Sequence, residues 1–167
     1  MRHSRFFLIT ASITLLLGSC SVSAQTTPKP GNWTRSAVTY LPPRIKGEPP
    51  RPWPDEPNTV CRSVLELRPS LFLDAQKQKK NLASPDEQCE LSEYKSEVGK
   101  ASWNMLCKKE GEETHSAQFE VRMSATKIYT KIKRHIKDPI SGDADVLYEE
   151  RYGREGDCDE APVQVKK

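Results

Sequence analysis

Apolar and polar residues alternate along most of the chain, in stretches separated by glycine, proline and serine. Alternation with a period of two is typical of β-strands that bury one face. It predicts six strands, over residues 32–41, 89–96, 100–107, 114–123, 127–137 and 144–152. The sequence therefore indicates a mostly β fold, a twisted antiparallel sheet or partly closed barrel of about six strands with one short helix.

Two segments break the alternation. Residues 42–57 hold seven prolines in sixteen positions. Because proline has no N–H to donate, we expect an extended or polyproline-like loop there and not a central strand. An alternative is that this loop docks on an aromatic groove of a partner. Residues 63–80 carry several large apolar residues interrupted by Pro69, which predicts a short helix, or two broken turns, lying on the sheet.

The first 24 residues have the form of a secretory signal, with two arginines ahead of an apolar run over residues 6–18. Small residues before Gln25 suit cleavage after Ala24. The letters at 17–20 also resemble a bacterial lipobox, which would leave Cys20 as a lipid-bearing N-terminus and the only contact with a membrane. Both cleavage sites are kept as alternatives.

The domain organisation follows from these features. After the signal we expect a polar leader over residues 25–31, then a single disulfide-braced β domain over 32–158 that includes the proline-rich loop, and a flexible tail over 159–167. The expected location is outside the cytoplasm, in the periplasm or anchored to the outer membrane of a Gram-negative bacterium.

Four cysteines follow the signal, an even set that suits an oxidising compartment. A hairpin loop over residues 97–99 ends in glycine, which tolerates the left-handed backbone of such loops. That loop sets Ser96 opposite Lys100, and the same register sets Cys89 opposite Cys107. Facing Cβ atoms lie about 4.5–5.5 Å apart, close enough for a disulfide. A bulge in this loop would shift the register by one residue.

Cys61 and Cys158 would then pair by elimination and close a loop of nearly the whole domain. On the chain-entropy model such a disulfide stabilises the fold by up to about 4–5 kcal/mol. The four cysteines are far apart in sequence, form no Cys-x-x-Cys motif and have no histidine near them in sequence. We therefore expect neither a metal site nor thiol chemistry.

Charge is balanced but segregated. Without the signal, 24 basic residues face 23 acidic ones, and nothing favours nucleic acid as a partner. Residues 127–137 are basic, whereas 138–160 are rich in acids. Opposite charges on neighbouring strands pair across a sheet, which is the simpler interpretation. The alternative is a surface for an envelope protein or an acidic membrane, formed by Tyr129, Lys131, Lys133 and His135.

No residue is marked as catalytic. His115 and His135 fall on predicted strands without a ligand partner at i+2 or i+4, and are interpreted as exposed or half-buried strand residues. The chain has no Gly-x-Ser-x-Gly motif and no glycine-rich phosphate loop. We therefore expect a protein that is not an enzyme and holds no cofactor.

Two tryptophans fall on predicted strands and are interpreted first as core residues. A curved sheet with a helix across it also leaves room for an apolar groove. The candidate contacts for an apolar small molecule in that groove are Trp33, Leu91, Trp103 and Met105.

The order and spacing of several short motifs carry a resemblance to a known family. These motifs are Pro30-Gly31-Asn32-Trp33, Cys61 after the proline-rich stretch, Cys89 through Trp103 to Cys107, and Gly156-Asp157-Cys158. Over residues 29–158 the chain resembles the exported bacterial proteins catalogued as domain of unknown function 3617. The resemblance implies a small, mostly antiparallel β domain with disulfides, outside the cytoplasm. It implies no activity and no role for any residue.

The functional expectation is a non-catalytic binding or interaction module of the cell envelope. Its partner would be an apolar small molecule or an envelope protein. Two other classes stay open at this stage: a periplasmic enzyme with an unrecognised site, and a structural outer-membrane lipoprotein.

Overall fold

The computed structural model describes residues 27–45, 47–137, 140 and 142–158. Within these residues eight strands form one antiparallel sheet that does not close, which confirms the mostly β class with one short helix. The strands are β1 (Gly31–Leu41), β2 (Arg51–Pro54), β3 (Asn58–Arg62), β4 (Gln88–Glu97), β5 (Lys100–Lys109), β6 (Glu112–Met123), β7 (Lys127–Ile136) and β8 (Ala144–Gly156). A 3₁₀ turn (Pro69–Leu71) precedes the helix α1 (Ala75–Leu82).

The sheet has the strand order β2-β1-β8-β7-β6-β5-β4, and β3 pairs with the same edge of β1 as β2 does. Strands β4 to β8 follow one another as hairpins. The first strand then pairs with the last, because β1 lies antiparallel to β8. The two ends of the domain are therefore neighbours in the sheet.

The proline-rich segment contains a strand that the sequence did not predict. Pro52 pairs with Tyr40 and Pro54 with Val38, as part of β2. Among the described strands β2 pairs with β1 alone, so it lies at the sheet edge, where a missing N–H removes no bond on the outer side. Together with β3 it raises the strand count from about six to eight.

One face of the sheet, called here the helix face, carries the core. Alternate residues of β5 and β6 are buried there, and Trp103 stacks on Phe119 with ring centroids 4.8 Å apart. Phe72 and Leu73, from the segment before α1, pack against the two core clusters. Trp33 anchors the second cluster with an exposed fraction of 0%.

Helix α1 is short and polar, and its start is capped. The Asp74 side chain accepts hydrogen bonds from the backbone N–H groups of Gln76 and Lys77, as an N-cap residue does. Ala75 is its one buried residue. Tertiary packing of the segment that precedes it therefore holds this helix on the sheet, as the sequence predicted for residues 63–80.

The turn between β4 and β5 is one residue shorter than predicted. Glu97 pairs with Lys100, which leaves a two-residue loop over 98–99, with Gly99 at φ 71°. Glycine adopts this left-handed conformation at no steric cost, because it has no Cβ. The prediction that Ser96 faces Lys100 is therefore wrong by one residue.

A bulge further along the hairpin restores the predicted register at the cysteines. The pairing shifts by one between Ser92 and Lys95, where Glu93 has a φ of 52°. An extra residue in one strand has this effect on a ladder. Beyond it Cys89 faces Cys107, as the sequence predicted.

Both predicted disulfides are present. Cys89–Cys107 staples the β4–β5 hairpin, and Cys61–Cys158 joins β3 to the residue pair after β8. Disulfides form and persist mainly outside the cytoplasm. The predicted signal, Cys20 and the tail lie outside the described residues.

Candidate ligand-binding groove

The face of the sheet opposite α1, called here the open face, forms a groove of about 1000 Å³. Its lining includes residues of β1 and β4, which are five strand positions apart in the sheet. A flat sheet would separate these strands by about 24 Å, since neighbours lie 4.7–4.9 Å apart. One cavity bordered by both strands requires the open face to be concave.

Apolar side chains form much of one wall. Tyr40 of β1 pairs with Leu147 of β8, and both line the groove together with Leu106 of β5. Pro49 and Pro50 of the proline-rich loop border the same space. The proline-rich loop therefore forms part of the groove lining and does not only connect two strands.

Polar groups lie along the floor between these apolar residues. They are uncharged except on β7 and β8, and comprise Ser92, Asn104, Ser116, Gln118, Lys133, Arg134, His135 and Asp145. Lys133 is exposed, and within the described residues it forms no ion pair. An apolar wall with one uncompensated cation is the arrangement expected for an amphipathic anion.

Two other cationic residues border the groove. Arg134 faces the buried Ala117 in the β6–β7 ladder, so its side chain belongs to the helix face, where its charge acts on His115. The second, His135, is already engaged by two acids. His135 contacts Asp145 through Nδ1 at 2.8 Å and Asp143 through Nε2 at 3.5 Å. The hydrogen bond with Asp145, and the negative charge of both acids, raise the pKa of His135 above its usual value. Lys133 is therefore the group left to meet an incoming negative charge.

A second, smaller cavity of about 320 Å³ continues the groove along the open face. Asn104, Gln118 and Lys133 border both spaces. The smaller cavity adds charged groups of both signs, among them Glu120 and Lys131. The open face therefore runs from an apolar end to a charged end, with Lys133 between them.

The predicted apolar contacts lie on the other side of the sheet. Trp33, Trp103 and Met105 have exposed fractions of 0%, 1% and 2%, and their side chains fill the core. Their interpretation as core residues fits these positions. Leu91 borders a cavity of about 580 Å³ between α1 and β4, whereas Met105 borders the groove. Leu91 faces Met105 in the ladder and packs against the same core cluster, and Trp33 belongs to the second cluster. The role of these four residues as ligand contacts stays a prediction.

The predicted partner surface is brought together on the open face of β7, where β8 partly neutralises it. Tyr129 donates a hydrogen bond to Glu149 at 3.1 Å, and Lys131 lies 3.8 Å from the same carboxylate. Because β7 and β8 are neighbours, the basic and acidic stretches pair across the sheet as the simpler interpretation predicted. Lys133 is the member of this surface left uncompensated among the described residues.

His115 differs from its interpretation as an exposed or half-buried residue, because its exposed fraction is 2%. Its Nδ1 lies 3.3 Å from the Glu87 carboxylate, which also accepts a hydrogen bond from Thr114. Burial, with the nearby charge of Arg134, lowers the pKa of His115 despite the attraction of Glu87. The sequence alternation did not reveal the burial of His115, because from this residue on every second position of β6 is buried, whatever its polarity.

A polar cluster on the helix face of β1 and β8 was also missed by the sequence. Arg35 Nε donates to Glu150 at 2.5 Å, and the same guanidinium reaches Tyr148 and Asp55. Burial and the charge of Glu150 raise the pKa of Tyr148 to about 12. The charged groups satisfy one another, so this cluster stabilises the β1–β8 pairing and presents no free nucleophile or base.

The groove residues left one signal in the sequence. Leu106 and Leu147 occupy strand positions at which the alternation predicts polar residues. Leu106 directly precedes Cys107, and Leu147 lies within the acidic stretch over residues 138–160. An apolar residue on the solvent side of a strand indicates a second buried or binding surface. The register that brings both residues to one groove appears only in the folded sheet.

Neither a family model, nor a curated protein, nor a solved structure matches this chain. The resemblance to the uncharacterised exported family therefore stays a prediction. Among the described residues no helix is long and apolar enough to cross a membrane.

Proposed function

We propose that the protein is an exported, non-catalytic binding module of the cell envelope, and that its ligand is an elongated apolar molecule with an anionic head. The groove on the open face is the site. Its apolar wall would hold the body of the ligand, and Lys133 would hold the head.

The observation that carries this proposal is the pairing of an apolar wall with an uncompensated cation in one cavity. A volume of about 1000 Å³ lies at the upper end of the range for small-molecule sites. The wall formed by Tyr40, Leu106 and Leu147 offers no hydrogen-bonding backbone edge, so it favours a hydrocarbon body over a peptide strand.

The charge pattern favours an anion over a cation at the head. Asp145 is occupied by His135, whereas Lys133 is unpaired in the described part of the chain. A charge-assisted hydrogen bond to a carboxylate or phosphate is about twice as strong as a neutral one. The neutral amides of Asn104 and Gln118, beside Lys133, would supply further donors.

Two disulfides support an extracytoplasmic location, and the proposed export signal would deliver the chain there. Cleavage at Cys20 would add a lipid anchor, and cleavage after Ala24 would release a soluble module. An open groove serves a carrier in either case.

The test is a fluorescence titration of the mature chain with an environment-sensitive fatty-acid probe, dansylaminoundecanoic acid. We expect saturable binding at one site, with probe emission shifted to the blue. Leu147→Glu should abolish binding, since it places a negative charge against the apolar wall and near the head. Lys133→Gln should weaken it about tenfold, which corresponds to about 1.4 kcal/mol.

Two matched variants control for general effects. Lys127→Gln removes a lysine from the same strand at a position that does not line the groove, and Leu65→Gln removes a leucine that is 72% exposed. Both should bind the probe as the unmodified chain does. Absence of saturable binding, or equal loss in Lys127→Gln and Lys133→Gln, would contradict the proposal.

A further inference from the structure

A compact set of metal-ligating side chains lies at the far end of the helix face, away from the groove. Glu87, Cys89, Cys107 and His115 each place one donor atom within 4.8 Å of all the others. Glu87 directly precedes β4 and Cys89 lies on it, Cys107 lies on the neighbouring strand β5, and His115 lies on β6 beyond β5. The two sulfurs are joined in the hairpin disulfide.

His115 supplies a second, independent observation. Its Nε2 is buried and has no hydrogen-bond partner among the described residues, while the residue itself is 98% buried. Leaving a buried polar atom unsatisfied is unfavourable. The imidazole, which already contacts Glu87 through Nδ1, therefore has the capacity to bind a further partner.

We propose that these four residues form a redox-gated zinc site, closed while Cys89 and Cys107 are joined and opened when a dithiol reduces them. The dithiol transfers two electrons and two protons to the disulfide and is itself oxidised to a disulfide. Each cysteine then carries a thiol, and Zn²⁺ replaces both thiol protons, which are released to solvent.

The geometry requires the two sulfurs to move apart after reduction and the donor atoms that lie furthest from one another to move closer together. In a tetrahedral zinc site, with Zn–S bonds of about 2.3 Å and Zn–N or Zn–O bonds of about 2.0 Å, neighbouring donor atoms lie about 3.3–3.8 Å apart. The present donors lie within 4.8 Å. Two thiolates and an imidazole select zinc over the hard cations Mg²⁺ and Ca²⁺, which prefer all-oxygen ligands.

The fold offers support for the opened state. Cys107 and His115 face each other in the β5–β6 ladder, whose pairing does not depend on the disulfide. Glu87 is held by the Ser84 N–H and by Thr114. Three of the four ligands are thus positioned by backbone pairing or hydrogen bonds before the metal enters.

The test uses Co²⁺ as a spectroscopic probe of the mature chain, before and after incubation with dithiothreitol and its removal without air. Reduced protein should bind one Co²⁺ per chain, with a thiolate-to-cobalt charge-transfer band and the visible bands of tetrahedral coordination. Zn²⁺ should displace it. Oxidised protein should show neither band.

Variants separate this site from other thiols. His115→Ala should weaken Co²⁺ binding at least tenfold and alter the visible bands, whereas His135→Ala, at a half-buried histidine outside the cluster, should leave Co²⁺ binding and the visible bands unchanged. The double variant Cys61→Ala/Cys158→Ala should retain the site, since only Cys89 and Cys107 remain as thiols. Circular dichroism before addition of the metal reports whether the reduced chain is folded.

Several results would overturn the proposal. These are an unfolded reduced chain, a folded reduced chain without the charge-transfer band, equal Co²⁺ binding by oxidised protein, and unchanged binding in His115→Ala. If the double variant does not fold, the comparison of His115→Ala with His135→Ala, both with all cysteines present, still decides whether the proposed site binds Co²⁺.

Discussion

Gly31 packs against the backbone of Gly156 so closely that a Cβ on Gly31 would lie well inside van der Waals contact with the Gly156 carbonyl oxygen. Gly31 also has a φ of 146°, which side chains rarely permit. Its neighbour Asn32 pairs with Cys61 on one side and Gly156 on the other. This close approach lies beside the disulfide that joins Cys61 to Cys158.

Gly31→Ala should therefore destabilise the fold by about 2–4 kcal/mol, through both the clash and the backbone strain. Gly153→Ala is the matched control in β8, because a Cβ there meets nothing closer than 3.8 Å and no positive φ is required. Urea unfolding followed by tryptophan fluorescence measures both. A loss of unfolding free energy in Gly31→Ala no larger than that in Gly153→Ala would contradict the close contact between Gly31 and the Gly156 backbone.

Removal of the disulfide between the ends of the domain should lower the free energy of unfolding by more than its exposed position suggests. Cys61→Ala/Cys158→Ala opens a loop of 97 residues, for which the chain-entropy model gives about 4–5 kcal/mol. Urea unfolding should show the loss, with the far-ultraviolet circular dichroism of the folded state retained. A loss below about 1 kcal/mol would mean that the unfolded chain gains little freedom from the opened bond.

The ion pair between Arg35 and Glu150 should contribute to stability, because the Glu150 side chain is only 16% exposed and also accepts a hydrogen bond from Tyr152. Glu150→Gln leaves the guanidinium without its charged partner, and we expect a loss of about 2 kcal/mol. Thermal and urea unfolding provide the measurement.

The control for that prediction is an ion pair of similar chemistry at the surface. Glu120 pairs with Arg122, and their side chains are 41% and 63% exposed. Surface pairs contribute about 0–1 kcal/mol, so Glu120→Gln should fall within about 0.5 kcal/mol of the unmodified chain. Equal effects of the two substitutions would show that burial does not decide the strength of these pairs.

Acid should weaken the fold through His115. Its pKa is lowered by burial and by Arg134, so the unfolded chain binds this proton more tightly than the folded chain. The stabilisation is therefore complete above about pH 6.5 and is lost as pH falls below that value towards the folded pKa. His115→Gln should reduce the dependence of unfolding free energy on pH in this window, by up to about 1.4 kcal/mol per pH unit.

His135 supplies the opposite sign within the same molecule. Its pKa is raised by Asp145, so its contribution is present below about pH 6.5 and is lost as pH rises through the folded pKa. An NMR titration of the imidazole protons should place His115 below and His135 above the usual histidine value. The reverse order would contradict the assigned environments of both residues.

Much of the fold could be predicted because alternation is a local property. The strands from β4 to β8 and the helix segment follow from spacing and turn residues, whereas the facing of Cys89 with Cys107 was predicted from a turn that proved wrong by one residue. The hairpin shows the limit of such reasoning. A shorter turn and a later bulge compensated each other, and only the full ladder of hydrogen bonds reveals either one.

The candidate site could be predicted less well. Lys133 and His135 were assigned to a surface, but Tyr40, Leu106 and Leu147 were not assigned to any site. These three residues are up to 107 positions apart in sequence, and only the curvature of the sheet brings them to one groove. His115 was misjudged for a related reason, since burial on the helix face depends on what packs against β6.

The sequence by itself determined the class of fold, the presence of two disulfides and the charge complementarity of β7 and β8, because each depends on neighbours in one ladder or on an even cysteine count. The tertiary structure alone decided which face is concave, which lysine is left uncompensated, and that Glu87 and His115 meet the hairpin cysteines. Those relationships depend on sheet curvature and on contacts between distant segments, which no local periodicity encodes.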